Sequence, residues 1–122
     1  MYDPPGKNFG ERLSGVLCAP ISGDYEFWIA GNDQAQLWLG PDDSSAHKKL
    51  IAQVRDWTYY REWGRSPEQQ SAVIRLIAGQ RYYIEVLHKA DGTNDHVAVA
   101  WRGPGFSRRP IVPDYLHAGV AN

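Results

Sequence analysis

Alternation with a period of two is the feature that most limits what this chain can fold into. The stretch 80–89, QRYYIEVLHK, sets Tyr82, Ile84 and Val86 on one side of an extended backbone and Tyr83, Glu85, Leu87 and Lys89 on the other. Residues 24–30 place Tyr25, Phe27 and Ile29 together, and residues 95–102 set Val97, Val99 and Trp101 against Ala98 and Ala100. Segments 11–19, 36–40, 48–54 and 71–77 complete a set of seven expected strands, rich in β-branched and aromatic residues. No comparable stretch carries the apolar repeat of an amphipathic helix. Ser22-Gly23-Asp24 and Ala78-Gly79-Gln80 read as tight turns, and Gly40 to Ser45 as a longer polar loop. Short strands broken by frequent turns predict an all-β fold, an antiparallel β-sandwich or barrel.

The bulk numbers fit one such domain. A chain of 122 residues is long enough to bury a core without metal or disulfides. Thirteen Lys and Arg against 14 Asp and Glu give a net charge of -1, with no basic face of the kind nucleic acid or an anionic membrane selects. The one local excess is Arg108-Arg109. Cys18 is the only cysteine; with Val16, Leu17 and Ala19 around it, it reads as a small buried hydrophobe, and no internal disulfide can form. No apolar run approaches the roughly 18 residues of a membrane span. Met1 to Pro5 is polar and turn-like, unlike an export signal.

Two segments break the alternation. Residues 55–70, RDWTYYREWGRSPEQQ, form a long connection dense in aromatics and charge, and residues 89–96, KADGTNDH, form a polar loop between two strong strands. Binding residues on a sandwich concentrate in such loops, because the sheets hold them in place. Asn32-Asp33 and the loop Asp91-Gly92-Thr93-Asn94-Asp95 carry oxygen donors of the type a hard cation such as calcium takes. Each loop taken alone reads equally as a turn, where Asn, Asp and Gly dominate. Asp42-Asp43 reads as part of a solvated loop. Glu62, Glu85 and Asp95 are the carboxylates open to glycosidase chemistry, but no spacing singles out a facing pair, so no catalytic residue is assigned. His88 and His96 lack the third partner a zinc site needs, and His88 reads instead as hydrogen-bonded and half-buried. Trp28, Trp38 and Trp101 fall within strands and are expected in or beside the core. Tyr59 and Tyr60 lie in the long connection, where exposed rings offer stacking surfaces for a sugar or cover a sheet edge.

In order along the chain come Gly10-Glu11-Arg12-Leu13-Ser14-Gly15, Ser22-Gly23-Asp24-Tyr25-Glu26-Phe27 and Ile29-Ala30-Gly31-Asn32-Asp33 leading into Leu37-Trp38-Leu39. Then follow Arg61-Glu62-Trp63, Pro67-Glu68-Gln69-Gln70-Ser71, Ala78-Gly79-Gln80-Arg81-Tyr82-Tyr83-Ile84-Glu85, Leu87-His88-Lys89 and Asp95-His96-Val97-Ala98-Val99-Ala100-Trp101. This series resembles the PA-fourteen domain family, the fourteen-kilodalton protective-antigen module found in fungal flocculins and adhesins, in β-glucosidase inserts and in bacterial surface proteins. The likeness runs collinearly over about residues 9–117.

The resemblance implies a single β-sandwich domain over residues 1–122, of the jelly-roll-type two-sheet kind, without the further aromatic strand that the family places before Gly10. It implies a calcium-assisted carbohydrate-binding module, part of a larger extracellular or cell-surface protein, serving adhesion or substrate targeting toward a glycan or cell-surface polysaccharide. In lectin-like members two consecutive acidic residues, joined by a cis peptide, hold the ion. The corresponding pair here is Asn32-Asp33, with Asn94 and Asp95 as ligands from the second loop. Tyr59, Tyr60, Thr93 and His96 are the residues expected to face the sugar. Asn32 keeps an oxygen but removes a negative charge, so the expected site is weaker than one with two Asp residues. The alternative is a structural or protein-interaction module with a degenerate calcium site.

Overall fold

A computed structural model describes residues 11–89, 96–111 and 116–117. Its strands are β1 (Glu11–Cys18), β2 (Gly23–Asn32), β3 (Ala35–Leu39), β4 (Lys49–Val54), β5 (Ile74–Leu76), β6 (Arg81–His88), β7 (His96–Gly103), β8 (Phe106–Pro110) and β9 (Leu116–His117). One sheet runs β4-β3-β6-β1-β9 and the other β5-β2-β7-β8, and every pairing between them is antiparallel. The only helical pieces among the described residues are short 3-10 turns at Ser45–His47 and Pro67–Gln69. The fold is the expected all-β sandwich.

The alternation in the sequence becomes the core. Tyr82, Ile84 and Val86 of β6 meet Leu17 of β1 and Leu37 and Leu39 of β3 on the inner face of one sheet. Tyr25, Phe27 and Ile29 of β2 and Trp101 of β7 come from the other. Tyr25, Trp101 and Phe106 pack ring against ring, with centroids 5.2–6.1 Å apart. Gly103 makes room for this cluster, since a Cβ there would overlap the Tyr25 ring.

The strand at the centre of the five-stranded sheet is buried on both faces. Tyr83, Glu85 and Leu87 point away from the core, yet none is more than 1% exposed. Glu85 explains how a charge survives there. Lys48 Nζ donates to its two oxygens at 3.0 and 2.9 Å, the Tyr83 hydroxyl donates to Oε1, and Arg12 lies 3.3 Å away. Burial pushes the Glu85 carboxyl up, but the hydrogen bonds from Tyr83 and Lys48 and the charges of Lys48 and Arg12 outweigh it. The group ends below its ordinary range. On the outer face of the second sheet Trp28 is buried beneath Arg102 and Arg108, and Arg109 lies over Phe106, so both members of the Arg108-Arg109 excess cover an aromatic ring.

Several details depart from the sequence reading. β8 and β9 carry no alternation to announce them: β8 reads FSRRP, sends only Phe106 toward the core, and lies at a sheet edge where Pro110 is tolerated. β5 is confined to Ile74–Leu76 rather than extending back to Ser71, because side chains replace the ladder there. Cys18 ends β1 half-buried rather than buried. Trp28 and Trp101 are buried and Trp38 half-buried, as expected.

Candidate functional site

β2 pairs with β7 along one edge; along the other it pairs with β5 over Gly23–Tyr25, and beyond Tyr25 the connection of residues 55–73 takes the place of a strand. Bridges join Asn32 to Trp57 and Trp28 to Gln70. Between them the backbone of β2 is satisfied by side chains. Thr58 N donates to Gly31 O at 2.7 Å while its Oγ1 accepts Gly31 N at 3.0 Å. Ser71 repeats the device on Phe27, donating from N at 2.8 Å and accepting at Oγ at 2.9 Å. Gln69 Nε2 donates to Ile29 O at 3.0 Å and Glu62 O at 2.6 Å, and its Oε1 accepts Ser66 N at 2.7 Å. All three side chains are buried. An irregular segment cannot form a ladder, so a hydroxyl or an amide supplies the missing backbone partner. No periodicity marks such residues, which is why sequence reasoning passed over Thr58, Gln69 and Ser71.

This anchoring fixes the aromatic rim. Glu62 Oε1 accepts Tyr59 N and Glu62 N donates to Tyr59 O, both at 3.0 Å, closing a tight turn that leaves Tyr59 and Tyr60 67% and 65% exposed. Trp57 meets Tyr59 edge-on at 5.0 Å. Arg61, with a left-handed backbone at φ 53°, lays its guanidinium over the Tyr60 ring. Tyr60 in turn stands edge-on to His96 at 5.7 Å. The β2–β7 register sets His96 opposite Asn32. One end of the sandwich therefore unites Asn32, Trp57, Tyr60 and His96, which are scattered along the sequence.

The Asn32–Asp33 peptide is cis, as the resemblance implies. Asp33 N donates to Lys89 O at 3.1 Å and Lys89 N donates to Gln34 O at 2.9 Å, tying the turn to the end of β6. His88, read from sequence as half-buried, is only 2% exposed. Its Nε2 donates to Asn32 O at 2.8 Å, and its Nδ1 lies 2.8 Å from Glu11 Oε1. His96 Nδ1 is shielded from solvent and has no hydrogen-bond partner among the described residues. Thr93, Asn94 and Asp95 lie outside the described residues.

The donor set suits a hard cation in type: the side chains of Asn32 and Asp33 offer oxygen, and both residues are half-buried. Among the described residues no three His, Cys, Asp or Glu side chains cluster, so the remaining oxygens of a calcium shell would come from residues 90–95, from carbonyls or from a ligand. Of the carboxylates considered for catalysis, Glu85 and Glu62 are committed elsewhere, and Asp95 lies outside the described residues. Glu85 is locked under Lys48, Arg12 and Tyr83, and Glu62 caps a backbone N–H. Asp42 takes the Ser44 N–H and the His47 ring in the exposed loop, which together hold its carboxyl below the usual range.

Comparison with known proteins agrees with this architecture. Residues 1–115 match the model of the PA14 domain. The chain is 39% identical over 110 residues to the N-acetyl-beta-glucosaminyl-glycoprotein 4-beta-N-acetylgalactosaminyltransferase 1 of Mus musculus, covering 84% of this chain and 11% of that protein. It is 32% identical over 90 residues to the fibrocystin of Canis lupus familiaris, covering 68% of this chain and 2% of that protein. The chain thus spans a small fraction of the length of these relatives. Among solved structures, an anti-sigma factor domain-containing protein from Clostridium clariflavum superimposes with a TM-score of 0.65 at 26% identity, over 87% of this chain and 32% of that one. The Epithelial Adhesin 6 A domain from Candida glabrata, solved in complex with Galb1-3GlcNAc, superimposes with a TM-score of 0.53 at 15% identity, over 91% of this chain and 55% of that one, a likeness of fold. The match over residues 1–115, the identity to relatives and the sandwich topology lead to one conclusion: the chain belongs to the PA14 domain family.

Proposed function

We propose that this domain binds a glycan at the end of the sandwich where β2 meets β7, with calcium held at Asn32 and Asp33. The observation that carries this reading is the register pairing of Asn32 with His96, which brings the oxygen-bearing turn beside Tyr60. Vicinal sugar hydroxyls complete the shell of a hard cation, and exposed rings such as Tyr59 and Tyr60 stack on the apolar face of a pyranose. Asp33 supplies the charge, Asn32 a neutral oxygen, and residues 93–95 the second loop. When bound, calcium would supply a fixed positive centre that orients hydroxyls. The chain's own residues position the turn through Lys89 and His88. A calcium-assisted lectin role fits a module of a larger extracellular or cell-surface protein that adheres or targets. We assign binding rather than catalysis to this domain.

Calorimetric titration of chelator-stripped protein with calcium tests the proposal, with Asp33→Ala as control. Saturable binding lost in Asp33→Ala is the expected result. An isotherm that stays flat to millimolar calcium sinks the calcium mechanism.

One observation favours a second reading, a structural or protein-contact module. The turn has Asn32 in place of a second acid, and the Asn32 carbonyl is already taken by His88 Nε2 at 2.8 Å. Both lower the pull on a divalent cation.

A further inference from the structure

The same connection that carries Tyr59 and Tyr60 also borders a polar cavity of about 440 Å³, open to solvent and lined by Arg55, Asp56, Trp57, Thr58, Arg65 and Glu68 among others. Its charges are not evenly committed. Asp56 Oδ1 accepts the Trp57 N–H at 2.9 Å. Glu68 Oε2 takes Arg55 Nε at 2.6 Å, and its Oε1 accepts the Ser66 hydroxyl at 3.4 Å. Arg65 has no carboxylate partner among the described residues. Its guanidinium lies 4.0 Å from the centre of the Trp57 ring, and Trp57 is itself held by its bridge to Asn32 and by Tyr59. Stacking on the ring covers the guanidinium face and leaves its N–H edge to bond in plane. Arg55 is engaged through Nε, so its terminal nitrogens remain to donate. The cavity thus offers forked donors beside the candidate glycan site; of the acids lining it, Glu68 is paired with Arg55 and Asp56 meets the Trp57 N–H.

We infer that this cavity is an anion subsite, and that the glycan the domain takes carries a carboxylate or a sulfate, received by Arg65. Planar guanidinium groups match both anions bidentately, which an ammonium cannot do. The inference rests on the glycan-binding reading above and adds the ligand's charge to it.

The test is titration of the domain, in calcium, with lactose, sialyllactose and sulfated lactose, for the parent, Arg65→Ala and Arg65→Lys. Polyglutamate peptide serves as a non-sugar anion. One charge-assisted bidentate contact predicts a preference of roughly tenfold for at least one acidic sugar over lactose. Arg65→Ala removes that preference and leaves lactose binding unchanged, and Arg65→Lys restores only part of it. Whether sialyllactose or sulfated lactose gains identifies the anion. Lactose binding with no gain for either acid, or a gain that survives in Arg65→Ala, overturns the subsite and leaves the glycan site standing. No binding of any sugar overturns both. Tighter binding of polyglutamate than of either acidic sugar overturns the assignment to a glycan.

Discussion

His88 Nε2 donates to the carbonyl of Asn32 at 2.8 Å, across 56 residues of sequence, from a ring that is itself buried. That one bond ties the last residue of β6 to the last residue of β2, and so links the turn at Asn32-Asp33 to the strand that leads into the second loop. Its partner on the other side is Glu11, the first residue of β1.

Replacing His88 by Ala strands the Asn32 carbonyl and leaves a cavity. We expect a loss of about 2–3 kcal/mol in urea unfolding. Amide exchange at Asp33 should rise at the same time, since the Asp33 N–H to Lys89 bond depends on the same clamp. A His88→Ala protein as stable as the parent would show that the clamp contributes nothing.

Glu85 makes stability depend on acid. Its folded carboxyl titrates below the unfolded value, so the stabilisation is fully present above about pH 4.3 and is lost as pH falls through the lower folded value. Glu85→Gln should flatten the acid limb of a plot of unfolding midpoint against pH. At neutral pH it should cost about 2 kcal/mol, because Lys48 and Arg12 are exposed enough to turn toward water. An unchanged acid limb would exclude Glu85 as the titrating group.

Gln69→Ala removes three hydrogen bonds at once and strands the carbonyls of Ile29 and Glu62. We expect a loss of about 3 kcal/mol, with faster hydrogen exchange confined to residues 57–71 and β2. Exchange that rises uniformly would mean the connection is not held separately.

Gly103→Ala probes the aromatic cluster from the opposite direction, by overfilling it. The added methyl must displace Tyr25, at a cost of about 1–3 kcal/mol by thermal unfolding. A near-UV circular dichroism change from the Tyr25, Trp101 and Phe106 rings should accompany it.

The sequence by itself determined the class of fold and the membership of the core. Alternation is local, so Tyr82, Ile84 and Val86, or Tyr25, Phe27 and Ile29, could be sorted to one face without knowing any partner. It also marked Asn32, Asp33, Tyr59, Tyr60 and His96 as residues with chemistry to offer. What only the tertiary structure decided was which of them meet. The antiparallel register of β2 and β7 placed Asn32 opposite His96, and the burial of Thr58, Gln69 and Ser71 along β2 delivered Tyr60 to the same end. Glu85 shows the same division: alternation put it on the outer face, but only Lys48 folding over from a distant loop made that face a buried one. Such contacts join residues tens of positions apart and leave no periodic trace in the chain, so they come into being only when distant strands and loops are set in register in the folded protein.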